Sequence, residues 1–166
     1  MTINVLKIKR HILAYKGYKL KCSLGKSGIS NKKKEGDLST PKGLFRLGLL
    51  YYRKDRINFL NCKIKKRIIK KNMGWCDDIK SKKYNQEIKF PFKYSAEKLY
   101  RKDQIYDLFI NLKYNCSPIV KGKGSAIFLH IAKKNYTPTV GCVAISKSDF
   151  LKILPLINKN TKISIN

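Results

Sequence analysis

No stretch of this chain is long and apolar enough to span a membrane, and residues Met1 to His11 lack the apolar run of a secretory signal. There is no Cys-x-x-Cys pair and no Cys/His cluster at zinc-site spacing, so neither a metal nor another cofactor is expected. The five cysteines, at 22, 62, 76, 116 and 142, are irregularly spaced. An odd count leaves at least one thiol unpaired whatever disulfides form, and slightly favours a reducing compartment. No repeat and no linker interrupts the 166 residues, whose 43% apolar content is enough for one domain with its own core.

Carboxylates are scarce: ten Asp and Glu face 38 Lys and Arg, for a net charge of +28. Such an excess first points to a polyanion partner. Only six of those cations are arginine, however, and nucleic-acid readers depend on its planar fork. Abundant Ile and Asn beside the Lys indicate a drift of overall composition, so no specific nucleic-acid partner is expected. A lysine-rich nucleic-acid-binding domain is the alternative to an enzyme. Asp77, Asp78, Glu97, Asp103 and Asp107 gather in one part of the chain, beside aromatic, Asn or Arg residues. Asp77 and Asp78 are expected to order a loop through Asx-type hydrogen bonds or to pair with Arg101.

What the chain does contain is a succession of short apolar alternations. Period-two patterns predict strands at 5–8, 12–15 and 18–22, the last two joined by a turn at Lys16-Gly17; further strands are expected at 45–52 and 161–165, and aliphatic ones at 105–114 and 125–131. The charge run from Lys63 to Lys71 reads as a solvated sheet edge, and 31–39 as a loop. Short helices are expected at 95–102, capped by Ser95, and from a Ser146 cap through about Ile157. The fold class expected is mainly β with short helices.

Chemistry concentrates near the C-terminus. One of the two histidines, His130, ends the apolar run from Ser125, and after eight intervening residues the string Thr139-Val-Gly141-Cys142-Val-Ala144 begins. Cysteine is a useful nucleophile as thiolate, and a neighbouring imidazole takes its proton and later returns it to a leaving group. Gly141 leaves room for a carbonyl to approach, and the backbone N–H groups of Gly141 and Cys142 are candidates to hold an oxyanion. For an isolated pair the competing reading is a buried structural cysteine beside a strand histidine.

The ordered set of motifs extends well beyond that pair. Cys22-Ser-Leu-Gly-Lys-Ser-Gly28, Glu35-Gly-Asp37 and Thr40-Pro-Lys-Gly-Leu-Phe45 come first, followed by Gly74-Trp75, Tyr84-Asn85 and Ala96-Glu-Lys-Leu-Tyr-Arg101. Gly124 to His130 and Pro138 to Ala144 complete it. From about residue 20 to the C-terminus the chain resembles the YkuD-type L,D-transpeptidase catalytic domain, in a compact branch. The resemblance implies a single β-sandwich-like catalytic domain over 1–166. It also implies Cys142 as nucleophile and His130 as general base and acid, on peptidoglycan stem peptides.

Thr139, Trp75, Tyr84, Asn85 and Arg101 are the candidate substrate contacts, with Trp75 equally fit to be core filler. A carboxypeptidase or endopeptidase on the same fold is the near alternative, with water in place of the acceptor amine, and a catalytically silent wall-binding domain is the remote one. The family's usual Arg or Asn two places after the cysteine is Ala144 here, so the substrate carboxylate must find another anchor. A monomer is expected. The resemblance implies the periplasm or cell envelope. Without a signal in this stretch, either the export signal lies outside it or the protein stays in the cytoplasm.

Overall fold

In Val5–Lys9 (β1) Leu6 and Ile8 are buried while Lys7 and Lys9 are exposed, an alternation that only an extended strand gives. The computed structural model describes residues 4–31 and 34–166; Lys32 and Lys33, in the loop expected at 31–39, and the first three residues lie outside the described residues. After β1 come Ile12–Tyr15 (β2), Tyr18–Ser23 (β3), Ile29–Ser30 (β4), Thr40–Pro41 (β5) and Gly43–Tyr52 (β6). Lys66–Ile68 (β7), Met73–Cys76 (β8), Glu87–Lys89 (β9) and Ala96–Lys98 (β10) follow. The C-terminal third holds Leu108–Leu112 (β11), Phe128–Ile131 (β12), Val143–Ile145 (β13), Lys147–Ile153 (α1) and Lys162–Ile165 (β14).

The fold is mainly β. Its principal sheet runs β11-β12-β13-β3-β2-β1-β14-β6-β7, and a further pairing of β6 with β11 closes it on itself. The long β6 makes closure possible: Gly43 to Arg46 pair with β14, while Leu47 to Tyr52 pair with β11. β7 sits on the outer edge of β6 with all three residues exposed, as the lysine run required. Within the ring lies an aliphatic core that includes Leu6, Leu13, Leu50, Ile110, Leu129, Val143, Ile145 and Ile163. Ser146 caps α1 by accepting from the Asp149 amide at 3.0 Å, and Phe150 and Ile153 turn inward to that core. Pro155 converts the last turn expected of this helix into a 3-10 turn.

A second sheet, β10-β8-β9, covers the outer face of β11 and β12. Here the expected helix at 95–102 is corrected: Ala96–Lys98 is a strand antiparallel to β8, with Glu97 opposite Trp75. Tertiary pairing overrides the local helix signal, and the Ser95 amide donates to Asp78 Oδ2 at 3.3 Å. Between the two sheets lies an aromatic core of Tyr51, Trp75, Tyr106, Phe109 and Phe128, with Cys142 among them.

Strand alternation assigns sides. In β11 Leu108, Ile110 and Leu112 face the aliphatic core and Phe109 the aromatic one; in β12 Leu129 and Ile131 take the first side, Phe128 the second. Asp78 Oδ1 accepts from the Lys80 amide at 2.9 Å, the expected Asx turn. Arg101 pairs with Asp103 rather than with Asp77 or Asp78.

Candidate active site

β12 and β13 run parallel, with Leu129 opposite Val143 and His130 opposite Ala144. Val143 and Ile145 belong to the aliphatic core, so alternation turns Cys142 and Ala144 to the other face, the one that carries Phe128 and His130. A cavity of about 160 Å³ opens there, lined by His130, Cys142, Ala144, Thr139, Arg101 and Glu97 among others. It is smaller than a typical ligand pocket, with room for a reacting group but not for a whole peptide.

The sulfur of Cys142 is 3.2 Å from the Ala126 carbonyl, to which the thiol donates, and accepts from the Phe128 amide at 3.4 Å. His130 Nδ1 lies 2.9 Å from the Ile131 carbonyl. A carbonyl only accepts, so Nδ1 carries the proton and Nε2 keeps its lone pair. Burial pushes the His130 imidazole down from about 6.5 to about 4, with Arg101 and Lys133 pushing the same way. At neutral pH it is a neutral base. The ring of Tyr106 stands edge-on to it with centroids 5.4 Å apart, and the Tyr106 hydroxyl donates to Glu97 at 2.7 Å. Burial raises the Glu97 carboxyl above its ordinary range.

The turn carrying Cys142 is locked by Thr139, whose hydroxyl donates to the Cys142 carbonyl at 2.7 Å and accepts from the Gly141 amide at 3.1 Å. Gly141 has φ +144, and a Cβ there would come within 3.0 Å of the Ser39 carbonyl, so both backbone and space require glycine. Thr139→Val should cost about 1–3 kcal/mol, because it strands both partners of the hydroxyl. Denaturant unfolding of the pure variant checks this.

The structure brings Cys142, His130, Thr139 and Arg101 together and keeps Trp75, Tyr84 and Asn85 off the cavity lining. Trp75 packs edge-on against Phe128 and Tyr51 and donates to Asn85 Oδ1 at 3.0 Å. Tyr84 is buried, its hydroxyl donating to Glu35 and accepting from the Gly124 amide. Asn85 is buried and hydrogen-bonded to Trp75, Tyr114, Asn115 and Ala126. Arg101 grips Asp103 with Nε and Nη2 at 2.9 and 2.7 Å and still lines the cavity. Tyr106 belongs to the motif set but carries no site role in the sequence reading, and Lys133 and the carbonyls of Ala126 and Ile131 are not marked by sequence as part of the site. One signal was present: Leu108-Phe-Ile-Asn-Leu112 scarcely alternates, as in a strand covered on both faces.

The YkuD model of L,D-transpeptidase catalytic domains matches residues 5–165. The chain belongs to the YkuD family. No curated protein and no solved structure matches it. The closed sheet, with its site on the outer face of β12 and β13, is thus the YkuD fold of this chain. Ala144 takes its place in it beside His130, offering the cavity only a methyl.

Proposed function

We propose that the chain is a single catalytic domain that acts as a cysteine-dependent L,D-transpeptidase on peptidoglycan stem peptides. The observation that carries this is a thiol and a neutral imidazole lining one cavity in a YkuD-family chain. His130 Nε2 takes the proton of Cys142, and the sulfur attacks the carbonyl of an L,D peptide bond. The oxyanion is held by the backbone N–H groups of Cys142 and Gly141, the latter exchanging its Thr139 partner for substrate. As the C–N bond breaks, His130 returns the proton to the departing D-amino acid. An acceptor amine then attacks the thioester, passes a proton to His130 and releases Cys142, which regains its proton from that imidazole. The reaction belongs in the cell envelope, where such stems are found, and one monomer supplies every group named.

Incubating the protein with defined disaccharide tetrapeptides and weighing the products tests this. Cross-linked dimers are expected; release of D-amino acid alone would make it the carboxypeptidase, and unchanged muropeptides would refute both. Ala144 leaves the stem carboxylate without a donor, and Arg101, on the cavity wall, is the substitute in this reading, with Thr139 as a lesser contact. Arg101→Lys keeps the charge and loses the fork, so kcat/KM should fall about tenfold, mostly through KM. The pair with Asp103 is solvent-exposed, so stability should move by less than about 1 kcal/mol. Wild-type kinetics in Arg101→Lys and Arg101→Ala, at substrate below saturation, would place the anchor elsewhere.

A further inference from the structure

Asn85 spends its whole side chain on other parts of the chain. Its Oδ1 accepts from Trp75 Nε1 at 3.0 Å and from the Ala126 amide at 3.1 Å. Its Nδ2 donates to the carbonyls of Tyr114 at 3.1 Å and Asn115 at 2.8 Å. A primary amide offers two lone pairs and two protons, and all four are used. The residue itself has φ +56, a conformation that asparagine tolerates better than most residues.

The partner that matters is Ala126. Alanine at φ +52 is held against its own preference, and such strain persists only where surroundings over-determine it. Asn85 supplies one constraint at the Ala126 amide. Tyr84 supplies another two residues earlier, where its hydroxyl accepts from the Gly124 amide at 2.9 Å. The same left-handed residue presents its carbonyl to the Cys142 thiol at 3.2 Å. A second contact to that sulfur, the Phe128 amide, is set independently, because Phe128 lies in β12 and is in register with Asn111 of β11.

We propose that Asn85 is a positioning residue for the nucleophile: by holding the Ala126 peptide in its left-handed conformation it keeps that carbonyl on the Cys142 thiol and fixes the thiol's orientation beside His130. The proposal deepens the cysteine-enzyme reading and rests on it for its catalytic meaning. A carbonyl accepts a hydrogen bond from a thiol and repels a thiolate, whereas the Phe128 amide favours the thiolate. Without Asn85, Ala126 relaxes to negative φ and its carbonyl withdraws while the Phe128 amide stays. The thiol then ionises more easily but is no longer aimed.

The test is the pH dependence of Cys142 alkylation by iodoacetamide, read by mass on the intact protein, alongside kcat and KM on a tetrapeptide. Asn85→Gly removes the amide and accepts φ +56 without strain. Its alkylation midpoint should fall by about one pH unit and its kcat by about tenfold, with KM unchanged. Asn85→Asp keeps the acceptor for Ala126 and should hold the wild-type midpoint even if its melting temperature drops. An unshifted midpoint in Asn85→Gly, or an equal shift in Asn85→Asp, would overturn the proposal. On the wild-type protein, slow hydrogen exchange at the Ala126 amide is expected; fast exchange would overturn the clamp whether or not any variant folds. Alkylation needs no substrate, so a protein that shows the shift yet turns over no muropeptide would sink the enzyme assignment and leave the clamp standing.

Discussion

Cys142→Ala should abolish turnover, lowering kcat by about 10⁴-fold or more, since removing a covalent nucleophile leaves only binding and oxyanion stabilisation. A carbapenem, whose strained ring presents an acyl group to a thiolate, should acylate the wild-type protein once. The other thiols are poor competitors. Burial pushes Cys22 up to about 12 and raises Cys62 and Cys116 as well. Cys76 is fully buried. What sets Cys142 apart is its place on a cavity wall shared with His130. Peptide mapping after carbapenem treatment should therefore find the adduct on Cys142 alone, and none in Cys142→Ala. An adduct spread over several cysteines, or one that survives the alanine substitution, would remove the nucleophile from this site. The binding-domain reading would then have the stronger claim.

The strands at both ends of the chain were legible because each buries one face, which writes period-two alternation directly into Leu6/Ile8, Leu13/Tyr15 and Ile163/Ile165. The His130 and Cys142 neighbourhood was legible for a related reason: His130 lies on β12, Cys142 immediately precedes the parallel β13 beside it, and a local motif marks each. The small sheet was not. Its strands are three or four residues long, and Ala96–Lys98 is extended only because Met73–Cys76 offers it an edge. The roles of Trp75, Tyr84 and Asn85 were hidden more deeply. Their side chains are recognisable as a motif, but Asn85 meets Ala126, 41 positions away, and Tyr84 meets Gly124, 40 away. Only folding decides whether such groups face substrate or protein. The Arg101 ion pair shows the same limit, since a carboxylate two residues away outcompetes those at 77 and 78.

Replacing His130 should change both the rate and the pH dependence of stability, and the second effect separates it from an ordinary core substitution. In the folded chain burial holds the imidazole near 4, against about 6.5 when exposed, so between those values the unfolded state binds the extra proton. Stability from the buried neutral ring is fully present above about 6.5 and is lost as pH falls towards 4, a change on the order of 3 kcal/mol. His130→Gln keeps a donor for the Ile131 carbonyl and cannot titrate. Its unfolding free energy, measured by denaturant between pH 4 and 7, should lose most of that slope. Turnover should fall about 10²- to 10⁴-fold, the usual worth of a general base, and the wild-type acid limb in kcat/KM, centred near 4, should vanish from what remains. His11 is exposed, its Nδ1 3.3 Å from the Cys22 carbonyl, and His11→Gln should leave turnover intact. If His130→Gln retains wild-type turnover while His11→Gln loses it, the base is His11. If His130→Gln keeps the full stability slope, His130 is not the buried neutral group that gives the site its proton acceptor.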